Sequence, residues 1–164
     1  LSREGQAVPK GIQLVNITWR CADLCLVRTL GKLKNEQTVP MKCIATLKGH
    51  LRWVRAVAWR SDGVLASGSQ DKTIKLWRDE RCIATLEGHE DDDVWAVAWR
   101  SDGVLASGGS EDKTIKLWRD ETCIATLKGH KDSVWAVAWR SDGVLASGSS
   151  DGTIKLWRDE RCIA

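Results

Sequence analysis

The feature that most constrains this chain is that residues 42–164 say nearly the same thing three times. The phrase K-C-I-A-T-L-K-G-H at Lys42–His50 returns as R-C-I-A-T-L-E-G-H at Arg81–His89 and as T-C-I-A-T-L-K-G-H at Thr122–His130. V-A-W-R-S-D-G-V-L-A-S-G begins at Val57, Val97 and Val137, and T-I-K-L-W at Thr73, Thr114 and Thr153. The period is 39 to 41 residues. Self-similarity at this spacing means one supersecondary unit per repeat, each too small to bury its own apolar surface and stable only against a neighbour. The middle unit carries one extra acid in Glu90–Asp93 and one extra small residue in Gly108–Ser110. Both insertions fall between apolar runs and read as loops. The units run over about 42–80, 81–121 and 122–160, with 161–164 a partial outer strand and 1–41 an N-terminal extension or degenerate partial blade.

Each unit reads as four short strands. Val54–Trp59 is apolar enough to be covered on both sides. Ser61-Asp62-Gly63 makes a hairpin turn, with Gly free to take positive φ. Val64–Ser67 forms the second strand. Thr73–Trp77 alternates, with Ile74 and Leu76 on one side and Thr73, Lys75 and Trp77 on the other. Cys82–Leu86 forms the fourth strand. No part of 42–164 has a helical stripe, and the strands are too closely spaced for βαβ units. The fold class is therefore all-β.

Charge and cysteine placement narrow the function. Residues 1–41 hold six Lys/Arg against three Asp/Glu, while 42–164 hold nineteen of each. A neutral repeat region argues against a nucleic-acid partner. Apolar stretches of about five residues argue against a membrane span. No leader pattern opens the chain, whose first residue is Leu. Cys43, Cys82, Cys123 and Cys162 recur once per unit, so they mark equivalent places and not disulfide partners; they read as small buried hydrophobes. Cys21 and Cys25 have no second pair at zinc spacing. No metal or cofactor is expected, and a reducing, cytoplasmic setting fits. Phosphate-loop and H-E-x-x-H motifs are absent. Every Ser, His and Asp of interest occurs three times at structural spacing, which points to framework and away from a catalytic triad. No enzyme activity is expected.

The G-H, the S-x-D and the Trp closing the third strand, in three successive units, resemble the WD40 repeat family. That resemblance implies a β-propeller of four-stranded antiparallel blades, three of them complete here and the ring incomplete. It implies a structural network of His50, Ser67, Asp71 and Trp77 in the first unit. The equivalent sets are His89, Ser107, Asp112 and Trp118, then His130, Ser147, Asp151 and Trp157. The family's W-D becomes Trp-Arg-Asp here, with the acid one residue late, which puts the local turn in question. Trp59, Trp99 and Trp139 are expected to fill space between blades.

The resemblance also implies a scaffold that binds a peptide or protein on a propeller face. The positions that vary between units mark that face: Arg52, Trp53 and Arg55 in the first, Asp92, Asp93 and Trp95 in the second, Asp132 and Trp135 in the third. Trp95 and Trp135 are either aromatic anchors by the channel or packed core. The acidic run Glu90–Asp93 would favour a basic peptide. The alternative is a fragment of a larger propeller, or a designed repeat array, with no binding function of its own. Three blades are too few to close. A longer propeller, a homodimer forming a six-bladed ring, or a degenerate fourth blade from Ile12–Trp19 and Leu24–Leu30 would each supply the rest.

Overall fold

The computed structural model describes residues 42–89, 93–109, 111–159 and 161–163. The suggested extra blade in residues 1–41, most of the acidic run including Asp92, and Ser110 lie outside the described residues. Twelve strands form three antiparallel meanders. Blade 1 is β1 (Val54–Trp59), β2 (Leu65–Ser69), β3 (Ile74–Arg78) and β4 (Arg81–Leu86). Blade 2 is β5 (Val94–Trp99), β6 (Leu105–Gly109), β7 (Ile115–Arg119) and β8 (Thr122–Leu127). Blade 3 is β9 (Val134–Trp139), β10 (Leu145–Ser149), β11 (Ile154–Arg158) and β12 (Arg161–Cys162). In each blade the strands hydrogen-bond in sequence order, so every connection is a hairpin.

The turns follow from local chemistry. Arg60 and Gly63 close the first hairpin, with the Gly63 N–H donating to Arg60 O at 3.1 Å and Gly63 at φ 87°. Asp62 braces it: Arg60 donates to its two oxygens at 2.7 and 2.9 Å. The residue that replaces the family's acid after Trp77 takes part as well, since Arg78 donates to Asp62 at 2.8 Å across 16 positions. The same bracing recurs around Asp102 and Asp142. The late acid then has its own place. Asp79 and Glu80 form a two-residue loop between β3 and β4 at φ 47° and 66°, the pattern of a type I′ hairpin.

Each blade has two apolar faces. The front face of blade 1, with Ala66, Ile74, Leu76 and Leu86, packs on the back face of blade 2, with Val94, Val97, Leu105 and Trp118. Blade 2 repeats the arrangement with Ala106, Ile115, Leu117 and Leu127 against Val134, Leu145 and Trp157 of blade 3. The core is therefore two slabs between three sheets. Three sequence expectations need correction. Val54–Trp59 is not covered on both sides, because among the described residues no blade lies behind it: Val57 is 62% exposed where Val97 is 8%. Trp99 and Trp139 pack between blades, but Trp59 is 69% exposed for the same reason. The cysteines are not buried either. Cys43, Cys82, Cys123 and Cys162 are exposed; Cys82, Cys123 and Cys162 are so because the outermost strand turns all but its last residues to solvent, as the single buried Leu86 in β4 shows.

The αL loop residues give a stability prediction. An L-residue there costs roughly 1–2 kcal/mol, and glycine escapes that cost at some loss of chain entropy. Glu80→Gly is expected to raise the unfolding free energy by about 0.5–1 kcal/mol in urea titration, and Glu121→Gly to do the same, since Glu121 sits at φ 68°.

Candidate functional site

Each blade carries one buried polar relay. In blade 1, Trp77 Nε1 donates to Ser67 Oγ at 2.8 Å. Ser67 Oγ lies 2.7 Å from His50 Nε2, and His50 Nδ1 lies 2.8 Å from Asp71 Oδ2. Proton placement follows from the inventory of donors. Indole can only donate, so the serine oxygen accepts it and gives its own hydrogen to Nε2. The imidazole proton then sits on Nδ1 and is donated to the carboxylate. Blade 2 repeats the chain through Trp118, Ser107, His89 and Asp112 at 2.8, 2.8 and 2.9 Å. Blade 3 does so through Trp157, Ser147, His130 and Asp151 at the same distances.

The carboxylates hold further donors. The Thr73 N–H and hydroxyl reach Asp71 Oδ1 at 3.1 and 2.6 Å, and the Leu51 N–H reaches Oδ2 at 2.9 Å. Burial opposes a charge on Asp71, but the hydrogen bonds from Thr73, Leu51 and His50 outweigh it and hold the carboxyl well below the usual range. At Asp112 burial again opposes the charge, and His89 with Thr114 brings the pKa down to about 2. The Thr153 hydroxyl and the Lys131 amide depress Asp151. Thr73, Thr114 and Thr153 were not singled out from the sequence. Their signal is that a Thr always stands two residues after the turn Asp, the spacing of a side chain closing its own turn. The glycine before each histidine has a steric role: a Cβ on Gly49 would come within 3.1 Å of Trp77 Cη2.

Ser, His and Asp here share the connectivity of a hydrolase triad, but the serine cannot act as a nucleophile. Ser67, Ser107 and Ser147 are 4%, 0% and 2% exposed, and each oxygen already accepts an indole N–H. The relay satisfies buried polar groups and ties the loop carrying the histidine to β2 and β3 of its blade.

The positions that vary between units lie at the starts of β1, β5 and β9 and on the loops that enter them. Arg55 is sandwiched, its guanidinium carbon 4.9 Å from the Trp53 ring centre and 4.0 Å from that of Trp95. Trp95 and Trp135 follow with ring centres 4.2 Å apart. Arg55, Trp95 and Trp135 occupy the same place in three successive blades, so the stack crosses both interfaces. Asp93 joins it through an ion pair with Arg55 at 3.5 Å. Trp135 Nε1 donates to the Ser150 hydroxyl. Trp95 is half-buried between its neighbours, whereas Trp135 is 49% and Trp53 68% exposed. Arg52 is exposed beside the stack. Asp132 is exposed too, but its carboxylate caps the Ser133 N–H at 2.7 Å. On the opposite rim a second set of contacts crosses the interfaces: Arg60 over Trp99 and Arg100 over Trp139, both at 4.8 Å.

Comparison with known proteins agrees with this geometry. The family described as "WD domain, G-beta repeat" matches residues 41–78, 80–119 and 121–158, more than two thirds of the chain. The chain belongs to the WD40 repeat family. WD40 blades are non-catalytic scaffolds, consistent with a serine consumed by its own relay. Among the described residues no group of three His, Cys, Asp or Glu side chains could hold a metal ion, and no helix is long and apolar enough to cross a membrane. The chain is 43% identical over 56 residues to the nuclear distribution protein PAC1 of Scheffersomyces stipitis, covering 29% of this chain and 11% of that protein. It is 44% identical over 55 residues to the phospholipase A-2-activating protein of Xenopus laevis, covering 34% and 7%. With the protein transport protein sec13 of Aspergillus oryzae it shares 45% over 47 residues, covering 26% and 16%. The chain thus matches only a small part of each relative's length.

The relay predicts an acid response. Because the folded Asp112 carboxyl titrates at about 2, its contribution is fully present above the unfolded pKa of about 4 and is lost as pH falls from there toward 2. Asp112→Asn is expected to lower stability at pH 7 by about 1 kcal/mol after solvent screening. It should also flatten part of the fall between pH 4 and 2, read from urea midpoints across that range.

Proposed function

We propose that this chain is an arc of a larger WD40 ring, and that it serves as a protein-interaction scaffold only when its two end faces are covered. One comparison carries the reading. Ile74 and Ile115, on the front faces of blades 1 and 2, are 0% exposed, and the equivalent Ile154 of blade 3 is 74% exposed. Val57 is likewise the open counterpart of Val97. Aliphatic surface of this kind, laid out for another blade, is costly to leave in water. Within a completed ring the partner surface falls at the channel mouth, on Trp53, Arg55, Trp95 and Trp135, with Arg52, Asp93 and Asp132 at its rim. Aromatic rings with a guanidinium suit a peptide whose side chain inserts among them. Exposed thiols on the outer strands, and one relative named a probable cytosolic iron-sulfur protein assembly protein, support a reducing, cytoplasmic setting.

The arc reading is tested by a single polypeptide in which residues 42–160 occur twice in tandem. Six blades lie within the range of closed propellers. The tandem chain is expected to melt about 10 °C or more above the single one, as several kcal/mol of new interface would require, and to lose binding of a hydrophobic dye. A tandem chain that melts with the single one and still binds the dye would contradict the reading. In the closed tandem form, Trp53→Ala together with Trp135→Ala should weaken capture from a peptide library at least about tenfold, measured by fluorescence anisotropy of the selected peptide.

A further inference from the structure

We propose that a second copy of this chain covers both open ends, giving a six-bladed ring with two-fold symmetry and two identical seams. The inference rests on the arc reading and names what completes the arc.

The chain carries the complement of each of its own open faces. Behind blade 1 lies a cleft lined by His50, Val57, Leu65 and Trp77. The equivalent surface of blade 2 is filled by the front of blade 1, which presents Ala66 and Ile74. Blade 3 presents the same residue types, Ala146 and Ile154, with Ile154 open.

The glycines of the second strands make the fit specific. A Cβ on Gly68 would lie 2.7 Å from Val94 Cγ1 of the next blade, and one on Gly108 would lie 2.9 Å from Val134 Cγ1. Gly148 holds the same position in blade 3, where a Cβ would meet only Ala136 Cβ at 3.9 Å. Among the described residues of the arc nothing needs glycine there. A following blade does, and the residue equivalent to Val94 and Val134 is Val54, which is 51% exposed.

Two further series are broken at the same seam. Arg60 and Arg100 each cover the tryptophan of the next blade, whereas Trp59 is 69% exposed, and among the described residues no guanidinium lies over it. Arg140 of the second copy supplies one. On the inner side, Arg55 reaches Asp93 across the first interface at 3.5 Å. The same step from blade 3 brings Trp135 against Trp53 of the second copy, pairing two exposed indoles. The stack then continues as a belt around the channel.

Copy number follows from closure. The described residues of one copy supply three blades, those of two supply six and those of three supply nine, and propellers close with roughly four to eight. The seam is head-to-tail, and in a ring of two it closes without leaving an end.

Equilibrium sedimentation of the chain at micromolar concentration is expected to give twice its mass of 18.2 kDa. Gly148→Ala should keep the β-type circular dichroism and weaken dimerisation at least about tenfold, as overpacking at each seam requires. Val57→Asp and Ile154→Asp should each be monomeric. Mixed in equal amounts they should dimerise again, more weakly than the parent chain, because the pair retains one intact seam. A monomeric parent chain would overturn the proposal, as would a mass that climbs past the dimer with concentration, or Gly148→Ala dimerising as tightly as the parent. If the tandem chain closes while the single chain stays monomeric, the second copy is wrong and the arc stands. If neither closes, the arc reading fails as well.

Discussion

A propeller blade has two apolar faces and cannot fold them onto each other. Everything else in this molecule answers to that constraint. A four-stranded meander of short strands places Val, Ala, Ile and Leu on both sides, so each sheet needs a neighbour in front and another behind. Blade 2 has both, and its β6 is buried throughout. Among the described residues, blades 1 and 3 have one each. The difference between Val97 and Val57 does not follow from their strands, which differ only in Arg55 for Trp95; it comes from whether a sheet lies behind.

Stacking sheets this closely creates a second demand, since the polar groups that shape the loops are buried with them. The relay meets it by alternating donor and acceptor along tryptophan, serine, histidine and aspartate, so that no member is left unsatisfied. Its charge sits at one end, where backbone and threonine donors surround it. The opposite rim handles charge differently: Asp62 and its equivalents lie in water, gripped by two arginines. In blades 1 and 2 one of those arginines, Arg60 or Arg100, also lies over the tryptophan of the next blade. Within-blade order and between-blade contact are thus joined through the same side chains.

Much of this was legible in the residues. T-I-K-L-W is a third strand in every blade, within one residue of the expected bounds, and the alternation of Ile74 and Leu76 against Trp77 is the alternation between faces. The displaced acid after Trp77 raised a doubt that the structure resolves: Arg78 bridges to Asp62, and Asp79 begins a tight turn. The misreadings have two causes. Burial of Trp59 and Val57 depends on what stands beside the strand, and a repeated sequence is blind to which copy is at an end; Cys82 and Cys123 are exposed alike because the outermost strand faces solvent in both copies. The threonines were overlooked because a residue in a strand motif was read as strand alone. Variation between units marked out the inner stack, but that Arg55, Trp95 and Trp135 touch one another could be seen only once the blades were in place.

The claim that each blade is stabilised by its neighbours is tested most directly by amide hydrogen exchange along the dilute chain, where no second copy is bound. The account predicts slowest exchange in β6 and β7 of the middle blade, with β1 and β11 faster although their sequences nearly match β5 and β7. Equal protection across the three blades would mean that each sheet is stable alone, and would contradict it.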